Sequence, residues 1–472
     1  GYNVSSTDLR SHGYSVLGFP ADELNDPGFG LDYHPEKKPT GNSELSRMAG
    51  FFGNLNYTYD NRYFADFSVR ADASSRFGAD KRWAVFWSAG VGYNLHNEVF
   101  LKKLEWVSLL RLRASYGVTG GQNFNPYQAM TTYRFITDKW YGYGSGAEML
   151  ALGNDDLKWQ STVQKNFGLD LGMWKDRLTL TFNYYHKLSE NSLTDVTLPP
   201  SLGFPSYKEN LGEVVNEGWE FTLRGFVVKK EDFNIMLSVN GAQNNNKLKK
   251  ISNSLKAFNE EQDKQVENKV MARYDEGQSL NTIWVVRSLG IDPANGKELF
   301  LDKNGKRTYD WNADDYVAEA TTDPRLYGNL GLGIFYRGFS LNTYVNYSLG
   351  EEAYNQTLVD RVENADKHYN CDRRVLYDRW HKPGDETFFK DVKDASVTRP
   401  TSRFVQKNNY LNMTSLNVAY EFNPRLLEPL RIKYLKLAFY MTDLFRISTM
   451  KAERGLDYPF ARTFTTSLQI RF

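Results

Sequence analysis

The sequence ends on Thr463 to Phe472, which reads T-F-T-T-S-L-Q-I-R-F, and this stretch shows the pattern that recurs along the chain. Side chains of an extended strand alternate between two faces, so Phe464, Leu468 and Ile470 share one face while Gln469 lies on the other. One face is therefore apolar and the other is polar. Strands of a soluble β-sandwich and of an outer-membrane barrel both show this alternation, so the choice depends on how often it recurs.

The same alternation recurs in about thirteen segments of up to about ten residues, the length that a tilted strand needs to cross a bilayer. The segments are 51–59, 63–71, 83–95, 110–116, 167–173, 178–184, 219–223, 233–239, 330–336, 339–347, 416–420, 435–441 and 464–472. Short connections such as 174–177 alternate with long ones such as 245–327, as the periplasmic turns and extracellular loops of outer-membrane barrels do. The sequence thus predicts an all-β fold, a transmembrane antiparallel β-barrel. The apolar face is expected to meet lipid, at Phe464, Leu468 and Ile470 and at Leu180, Phe182, Leu341 and Val345.

Composition excludes several other classes of protein. The 58 basic and 57 acidic residues balance, whereas a nucleic-acid-binding surface needs a basic excess, so no nucleic acid is expected as a partner. The single cysteine, Cys371, excludes a disulfide framework within the chain. Aromatic residues reach 15%, which suits a large β protein with aromatic belts at two membrane interfaces.

A set of short motifs in order along the chain resembles one family. The motifs are S-S-R-F-G at 74–78, R-W-A-V-F at 82–86, L-R-A-S-Y-G-V-T-G at 112–120, D-L-K-W-Q at 156–160, G-L-D-L-G at 168–172, G-I-D-P at 290–293, Y-P at 458–459 and R-T-F at 462–464. Together they resemble the SusC/RagA family of TonB-dependent outer-membrane transporters, from about residue 45 to the end.

The resemblance implies a barrel of about 22 strands, of which this chain supplies about 13 at the C-terminal side. It also implies import of oligomeric nutrients, glycan or peptide fragments, at the cell outer membrane under a SusD-like surface lipoprotein. The plug and TonB box of the family are absent from this chain, so TonB and the remaining N-terminal barrel and plug are expected as partners, along with outer-membrane lipid. Strand parity then places residues 1–46 in an extracellular loop, where the chain is expected to start, and residues 47–472 in the barrel.

Ligand recognition is expected in the long loops, because flat aromatic rings stack on sugar faces or peptide side chains while polar neighbours fix orientation. The candidate ligand-binding residues are Trp140, Tyr141, Tyr143, Trp284, Trp311 and Tyr316. The alternative for each is packing of the loop against another loop or the lipoprotein.

Catalysis finds little support in the sequence, and an outer-membrane hydrolase with a Ser-His pair is the one enzymatic alternative. The six histidines show no metal-ligand spacing, no Gly-x-Ser-x-Gly motif is present, and no cofactor or metal is expected. The carboxylates at 292–298 and 302–310 lack the spacing of a calcium loop and are interpreted as hairpin turns. The alternatives to an importer are a passive porin-like channel and a structural or adhesive barrel.

Overall fold

The computed structural model describes residues 1–472 except 22, 24, 25, 38, 123, 124, 143, 192, 198–205, 211, 252, 265–267, 367 and 452–460. Its strands are β1 (Tyr2–Gly13), β2 (Val16–Leu17), β3 (Asp32–Tyr33), β4 (Thr40–Tyr59), β5 (Tyr63–Ser74), β6 (Trp83–Asn94), β7 (Val107–Gly121), β8 (Thr132–Tyr141), β9 (Gly144–Ala151), β10 (Gln160–Met173), β11 (Leu178–Glu190), β12 (Leu193–Thr197), β13 (Ser206–Asn210), β14 (Glu213–Lys229), β15 (Phe233–Lys250), β16 (Thr282–Ile291), β17 (Glu298–Leu301), β18 (Arg307–Thr308), β19 (Tyr316–Thr321), β20 (Leu326–Tyr336), β21 (Phe339–Leu349), β22 (Glu352–Tyr354), β23 (Val405–Lys407), β24 (Tyr410–Glu421), β25 (Tyr434–Thr442), β26 (Arg446–Ser448) and β27 (Phe464–Arg471).

Helices are few and lie in the connections. They are α1 (Asn253–Lys264), α2 (Gln356–Leu358), α3 (Arg374–Tyr377) and α4 (Pro424–Leu427), with a π-helical turn at Val359–Glu363. Among the described helices, none is long and apolar enough to cross a membrane.

One large antiparallel sheet, here called the main sheet, organises the chain. Its strands pair in the order β1-β4-β5-β6-β7-β10-β11-β14-β15-β20-β21-β24-β25-β27, with β26 beside β24. Within the described residues, β1 and β27 each pair on one side only. All thirteen predicted strands are present, so the all-β fold of the predicted barrel wall is confirmed.

The connections alternate in length as predicted. At one end of the main sheet, tight turns use residues with left-handed backbone, such as Asp60 (φ 49°) and Asn61 (φ 52°), because their short polar side chains tolerate this conformation. At the other end, most of the connections are long, and the two from β15 to β20 and from β21 to β24 carry further strands and helices. We call these the short-turn end and the long-loop end.

The interpretation of residues 1–46 as a loop is wrong for Tyr2–Gly13 and for the residues from Thr40 onward, which form β1 and the start of β4. The sequence pattern does not predict β1, because polar residues occupy most positions on both of its faces and no apolar alternation is present. Backbone pairing forms it instead, in a register from Tyr2 opposite Phe51 to Gly13 opposite Thr40. Since Phe51 lies beyond the middle of β4, Tyr2 is not at the long-loop end, where the chain was expected to start.

The main sheet has two faces of different chemistry. On the apolar face large side chains are exposed, including Phe464, Leu468, Ile470 and Phe182. We call this the outer face, in line with the predicted lipid contact, and the opposite one the inner face. Small clusters of buried residues replace a single core, the largest of them made by Val359, Val362, Val375, Phe389 and Phe404 in the long connection after β21.

Candidate functional site

A row of polar side chains crosses four neighbouring strands on the inner face. Arg113 of β7 donates to Asp170 of β10 from Nε (2.9 Å) and Nη2 (3.1 Å), and from Nη2 to Asn183 of β11 at 3.1 Å. Asn183 in turn donates to Glu220 of β14 at 3.2 Å. Gly168 makes room for this row, since a Cβ there would lie 2.9 Å from the Arg113 guanidinium carbon. The inner face therefore presents fixed charges and amides.

Towards the long-loop end, an asparagine cluster continues the inner face. The Tyr185 hydroxyl donates to Asn244 Oδ1 at 3.0 Å, and the amides of Asn244 and Asn246 both donate to Asn216 Oδ1, at 3.2 and 2.9 Å. Asn246 Oδ1 also accepts from the backbone N–H of Leu280 at 3.0 Å. The cluster thus joins the wall of the sheet to the long connection above it.

Two polar cavities lie beside the row of polar side chains and the asparagine cluster. The loop cavity, of about 420 Å³, is lined by residues 244–247, 277–279, 282, 318–321, 323–325 and 352. The lower cavity, of about 290 Å³, is lined by residues 181, 183, 220–222, 240–242 and 327–329. Both cavities are lined by residues of β15, 244–247 in the loop cavity and 240–242 in the lower cavity.

The loop cavity carries charges of both signs. Asp323 is held by Asn281, whose amide donates to Oδ1 at 2.7 Å, and Glu319 pairs with Arg287 at 2.8 Å. Lys247 and Arg325 also line the cavity, and among the described ion pairs none involves either of them. A cavity with amides, hydroxyls and cations can bind carboxylates, peptide groups or sugar hydroxyls.

Two long connections pack together above the sheet, and we call them the loop assembly. Strands β18, β17, β16 and β19 form a four-stranded sheet in the first connection. The second connection crosses it, since Val286 N donates to Pro400 O at 3.3 Å and Ser288 N donates to Ser402 Oγ at 2.9 Å. The roof of the loop cavity is therefore a folded unit.

A buried ionic network ties the loop assembly together. Arg403, with its side chain 3% exposed, contacts Glu298 at 2.7 Å and Glu363 at 2.6 Å. Thr401 and Thr398 donate their hydroxyls to Glu298 and Glu363, at 2.8 and 3.1 Å. Burial acts to lower the pKa of Arg403, but the two carboxylates outweigh it and raise the pKa overall.

Two further buried cations border this network. Burial lowers the pKa of Arg379 and that of Lys390, because each leaves water for a site of low polarity. Lys390 donates to Ser396 Oγ at 3.1 Å, and Arg379 donates to the backbone oxygens of Val362 and Glu363. These bonds fix the second connection from within.

Three predicted aromatic residues are brought together in the loop assembly. The Trp284 backbone pairs with Ala318 and its ring is buried, 7% exposed, with the Arg273 guanidinium 5.6 Å from the ring centre. Trp311 stands edge-on to Tyr316 at 5.6 Å, donates to Pro400 O at 3.1 Å, and has the Arg399 guanidinium 4.8 Å above it. None of the three lines the loop cavity. Contact of these rings with cargo stays a prediction.

The other three predicted residues lie elsewhere. Trp140 and Tyr141 belong to β8, which forms a separate hairpin with β9, and their side chains lie outside the described part of the chain. Tyr143 lies outside the described residues.

The turns rich in carboxylates are hairpin turns, as interpreted. Asp292 Oδ1 accepts from Ala294 N at 2.9 Å and the chain reverses at Gly296 (φ 71°), while Asp302 Oδ1 accepts from Asn304 N and Lys306 N before Gly305 (φ 78°). In the described part of the chain, no group of three or more His, Cys, Asp or Glu residues could hold a metal ion.

Sequence reasoning missed the asparagine cluster and the cations Lys247 and Arg325 that line the loop cavity. The run Q-N-N-N-K at 243–247 is the signal that could have found them, because three consecutive asparagines at the end of a strand place amides on both faces. Arg325, which directly precedes β20, carries no such signal, because nothing in its local sequence marks a cavity.

Comparison with known proteins agrees with this geometry. The model of the TonB-dependent receptor-like β-barrel family matches residues 2–437. SusC, a TonB-dependent receptor of Bacteroides thetaiotaomicron, is 27% identical over 473 residues, which are 92% of this chain and 45% of SusC. The TonB-dependent receptor P39 of Formosa agariphila is 25% identical over 436 residues, 81% of this chain and 41% of that receptor.

Among solved structures, the RagAB peptide transporter aligns with a TM-score of 0.85 at 24% identity, covering 99% of this chain and 52% of that chain, which shows a shared fold. The chain spans about half the length of the curated relatives it matches. The family match covers most of the chain, and the resemblance to SusC/RagA members is confirmed. This chain belongs to the TonB-dependent receptor-like β-barrel family of the outer membrane.

Proposed function

We propose that the receptor containing this chain imports oligomeric nutrients, glycan or peptide fragments, across the outer membrane with energy supplied through TonB. A SusD-like surface lipoprotein closes over the loop assembly and traps the cargo. The observation that carries the proposal is the pair of polar cavities along β15 of a TonB-dependent receptor barrel.

The chemistry of the loop cavity supports an oligomeric polar cargo. Asn244, Asn245 and Gln278 offer amides that can donate and accept, which suits repeated peptide groups or sugar hydroxyls. Lys247 and Arg325 offer positive charge for a carboxylate. SusC is a TonB-dependent receptor and RagAB is a peptide transporter, and both relatives agree with import of this kind.

Release of a tightly bound cargo into the periplasm requires an external source of energy. A site that holds scarce cargo tightly releases it slowly, because affinity differences lie mostly in the dissociation rate. A lid that closes over a second surface buries more of the ligand than one surface alone.

Uptake of labelled cargo by cells tests the role of the loop cavity and separates the two cargo classes. In the double variant Lys247→Gln/Arg325→Gln, we expect uptake of oligopeptides with a free carboxyl end to fall several-fold. Uptake of the same peptides with amidated ends, and of neutral oligosaccharides, should change less. Lys230→Gln at the short-turn end is the control. Unchanged uptake of every cargo in the double variant would contradict the role given to this cavity.

A further inference from the structure

The outer face carries an apolar groove of about 1110 Å³ at the short-turn end of the main sheet. Its floor crosses β11, β14 and β15 and is made by Leu178, Leu223, Leu237 and Val239. The register places Leu178 beside Gly225, Gly225 beside Leu237, and Leu223 beside Val239, so these residues share one face. The groove lies in the middle of the sheet, away from its edges β1 and β27.

Two local features shape the groove. Gly225 lacks a side chain, and a Cβ there would lie 3.1 Å from Leu178 Cδ1, so the floor is lowest at this point. Just beyond it, a β-bulge between Phe226 and Val228 pushes Val227 outward, where it is 64% exposed. The bulge forms one wall of the groove.

Two tryptophans stand at the opposite wall. The backbone N–H of Trp174 donates to the Trp106 carbonyl at 2.7 Å, which joins the turn after β10 to the connection before β7. Trp174 has φ of 53°, and both side chains are about half exposed. Tryptophan prefers the level of lipid headgroups, where its ring meets both apolar and polar surroundings.

Positive charge lines the end of the groove nearest the turns. Its charged lining residues are Lys175, Arg177 and Lys229, against a single acid, Glu105. Among the described ion pairs, none involves any of these three cations. The Lys229 ammonium lies 5.0 Å from the centre of the Phe226 ring, and both residues line the groove. The neighbouring acid Asp176 already accepts from Ser108 Oγ at 2.6 Å.

We propose that this groove binds one anionic glycerophospholipid of the periplasmic leaflet. The acyl chains lie on the floor of Leu178, Leu223 and Leu237, and the phosphate is held by Lys175, Arg177 and Lys229. Short turns of outer-membrane barrels face the periplasm, so the groove opens at the level of the inner-leaflet headgroups. Basic pockets beside apolar membrane surface recognise acidic lipid headgroups in this way. The inference rests on the family and the groove, and it is independent of what the receptor imports.

Native mass spectrometry of the receptor purified from outer membranes tests the proposal. The purified receptor is mixed with phosphatidylglycerol and with phosphatidylcholine of the same acyl chains, and bound lipid is counted. The wild type should retain one phosphatidylglycerol in at least several-fold preference to phosphatidylcholine. In Lys175→Gln/Arg177→Gln/Lys229→Gln this preference should fall to about one. Heat-modifiable migration checks that each variant is folded.

A matched control removes the same charge from the same end of the sheet. Lys102→Gln/Lys103→Gln/Lys230→Gln alters cations in the short connections that do not line the groove, and its preference should equal that of the wild type. Equal binding of both lipids by the wild type, or an equal loss in both triple variants, would overturn the proposal. Displacement of the bound lipid by millimolar inorganic phosphate would also overturn it, because it would identify a site for free phosphate.

Discussion

The Arg403 guanidinium donates two hydrogen bonds to Glu298, from Nη2 to Oε2 at 2.7 Å and from Nε to Oε1 at 3.0 Å, although 105 residues separate them in sequence. The same Nη2 reaches Glu363 at 2.6 Å. One buried cation therefore joins the first long connection to two points of the second. The contact lies within the loop assembly, which also forms the roof of the loop cavity.

Replacing Arg403 with methionine should open the loop assembly. Loss of one partner leaves buried carboxylates uncompensated, which typically costs about 3 to 5 kcal/mol. Amide hydrogen exchange in β16 and β17 should rise while exchange in β10 and β11 stays at the wild-type level. Arg287→Met is the control, because its pair with Glu319 is partly exposed to solvent and exposed pairs contribute about 0 to 1 kcal/mol. Equal protection in both variants would show that the network does not hold the assembly.

The turn at α3 should weaken at low pH. Arg374 donates to Asp372 from its side chain and its backbone N–H, and these bonds lower the pKa of Asp372 from 3.8 to about 2. Because the folded value is depressed, ionised Asp372 contributes stability that is fully present above about pH 4 and is lost as pH falls through 2. The next turn carries Val375 into the buried cluster, so its amide protection should fall over that range.

The variant Asp372→Asn tests the cause of this pH dependence. It keeps a side chain that can accept from the Arg374 N–H but carries no charge. We expect its protection factors, corrected for intrinsic exchange, to be lower at pH 5 and nearly constant down to pH 2.5. A wild-type protein whose protection at α3 does not change over this range would contradict the assignment.

The two faces of β27 should respond differently to charge. Leu468 lies on the outer face opposite Leu437 and is 60% exposed, whereas Gln469 points to the inner face opposite Lys436. Arginine on the lipid face of a barrel costs about 2 to 4 kcal/mol near the bilayer midplane. Leu468→Arg should therefore reduce the heat-modifiable receptor in outer membranes, and Gln469→Arg should not. Equal assembly of both variants would count against the lipid-facing assignment.

Trp284 offers a way to separate packing from ligand contact. Within the described residues, its buried Nε1 has no hydrogen-bond partner. Trp284→Phe keeps a flat ring and removes the unpaired donor, so stability should be unchanged or slightly higher, since an unsatisfied buried donor costs about 1 to 3 kcal/mol. Trp284→Ala should open the loop assembly, because truncation of a buried aromatic ring costs about 3 to 5 kcal/mol. Lower uptake in a stable Trp284→Phe variant would mean that Nε1 contacts the cargo.

Sequence reasoning succeeded where side-chain period alone determines structure. The alternation of Phe464, Leu468 and Ile470 with polar residues, repeated along the chain, located every predicted strand of the main sheet. It missed β1, in which polar residues such as Asn3, Ser5, Thr7 and Asp8 occupy both faces, because pairing there depends on the backbone.

The loops were harder to predict for a physical reason. Composition alone does not distinguish an aromatic ring that packs within a loop from one that binds a ligand. Trp284 and Trp311 pack within the loop assembly. Contacts such as Arg403 with Glu298 join distant parts of the chain, and no periodicity encodes them. Arg325 lines the loop cavity at the start of β20, and its local sequence carried no signal of this.

Uptake of labelled oligomeric cargo, compared between wild-type cells, cells lacking TonB and cells lacking the SusD-like lipoprotein, tests the proposed function most directly. Energised import under a lid predicts that uptake through this receptor falls to background without TonB. Without the lipoprotein, it should fall at low cargo concentration, while the barrel still assembles. Uptake that continues unchanged in both strains would contradict the proposal and identify a passive channel.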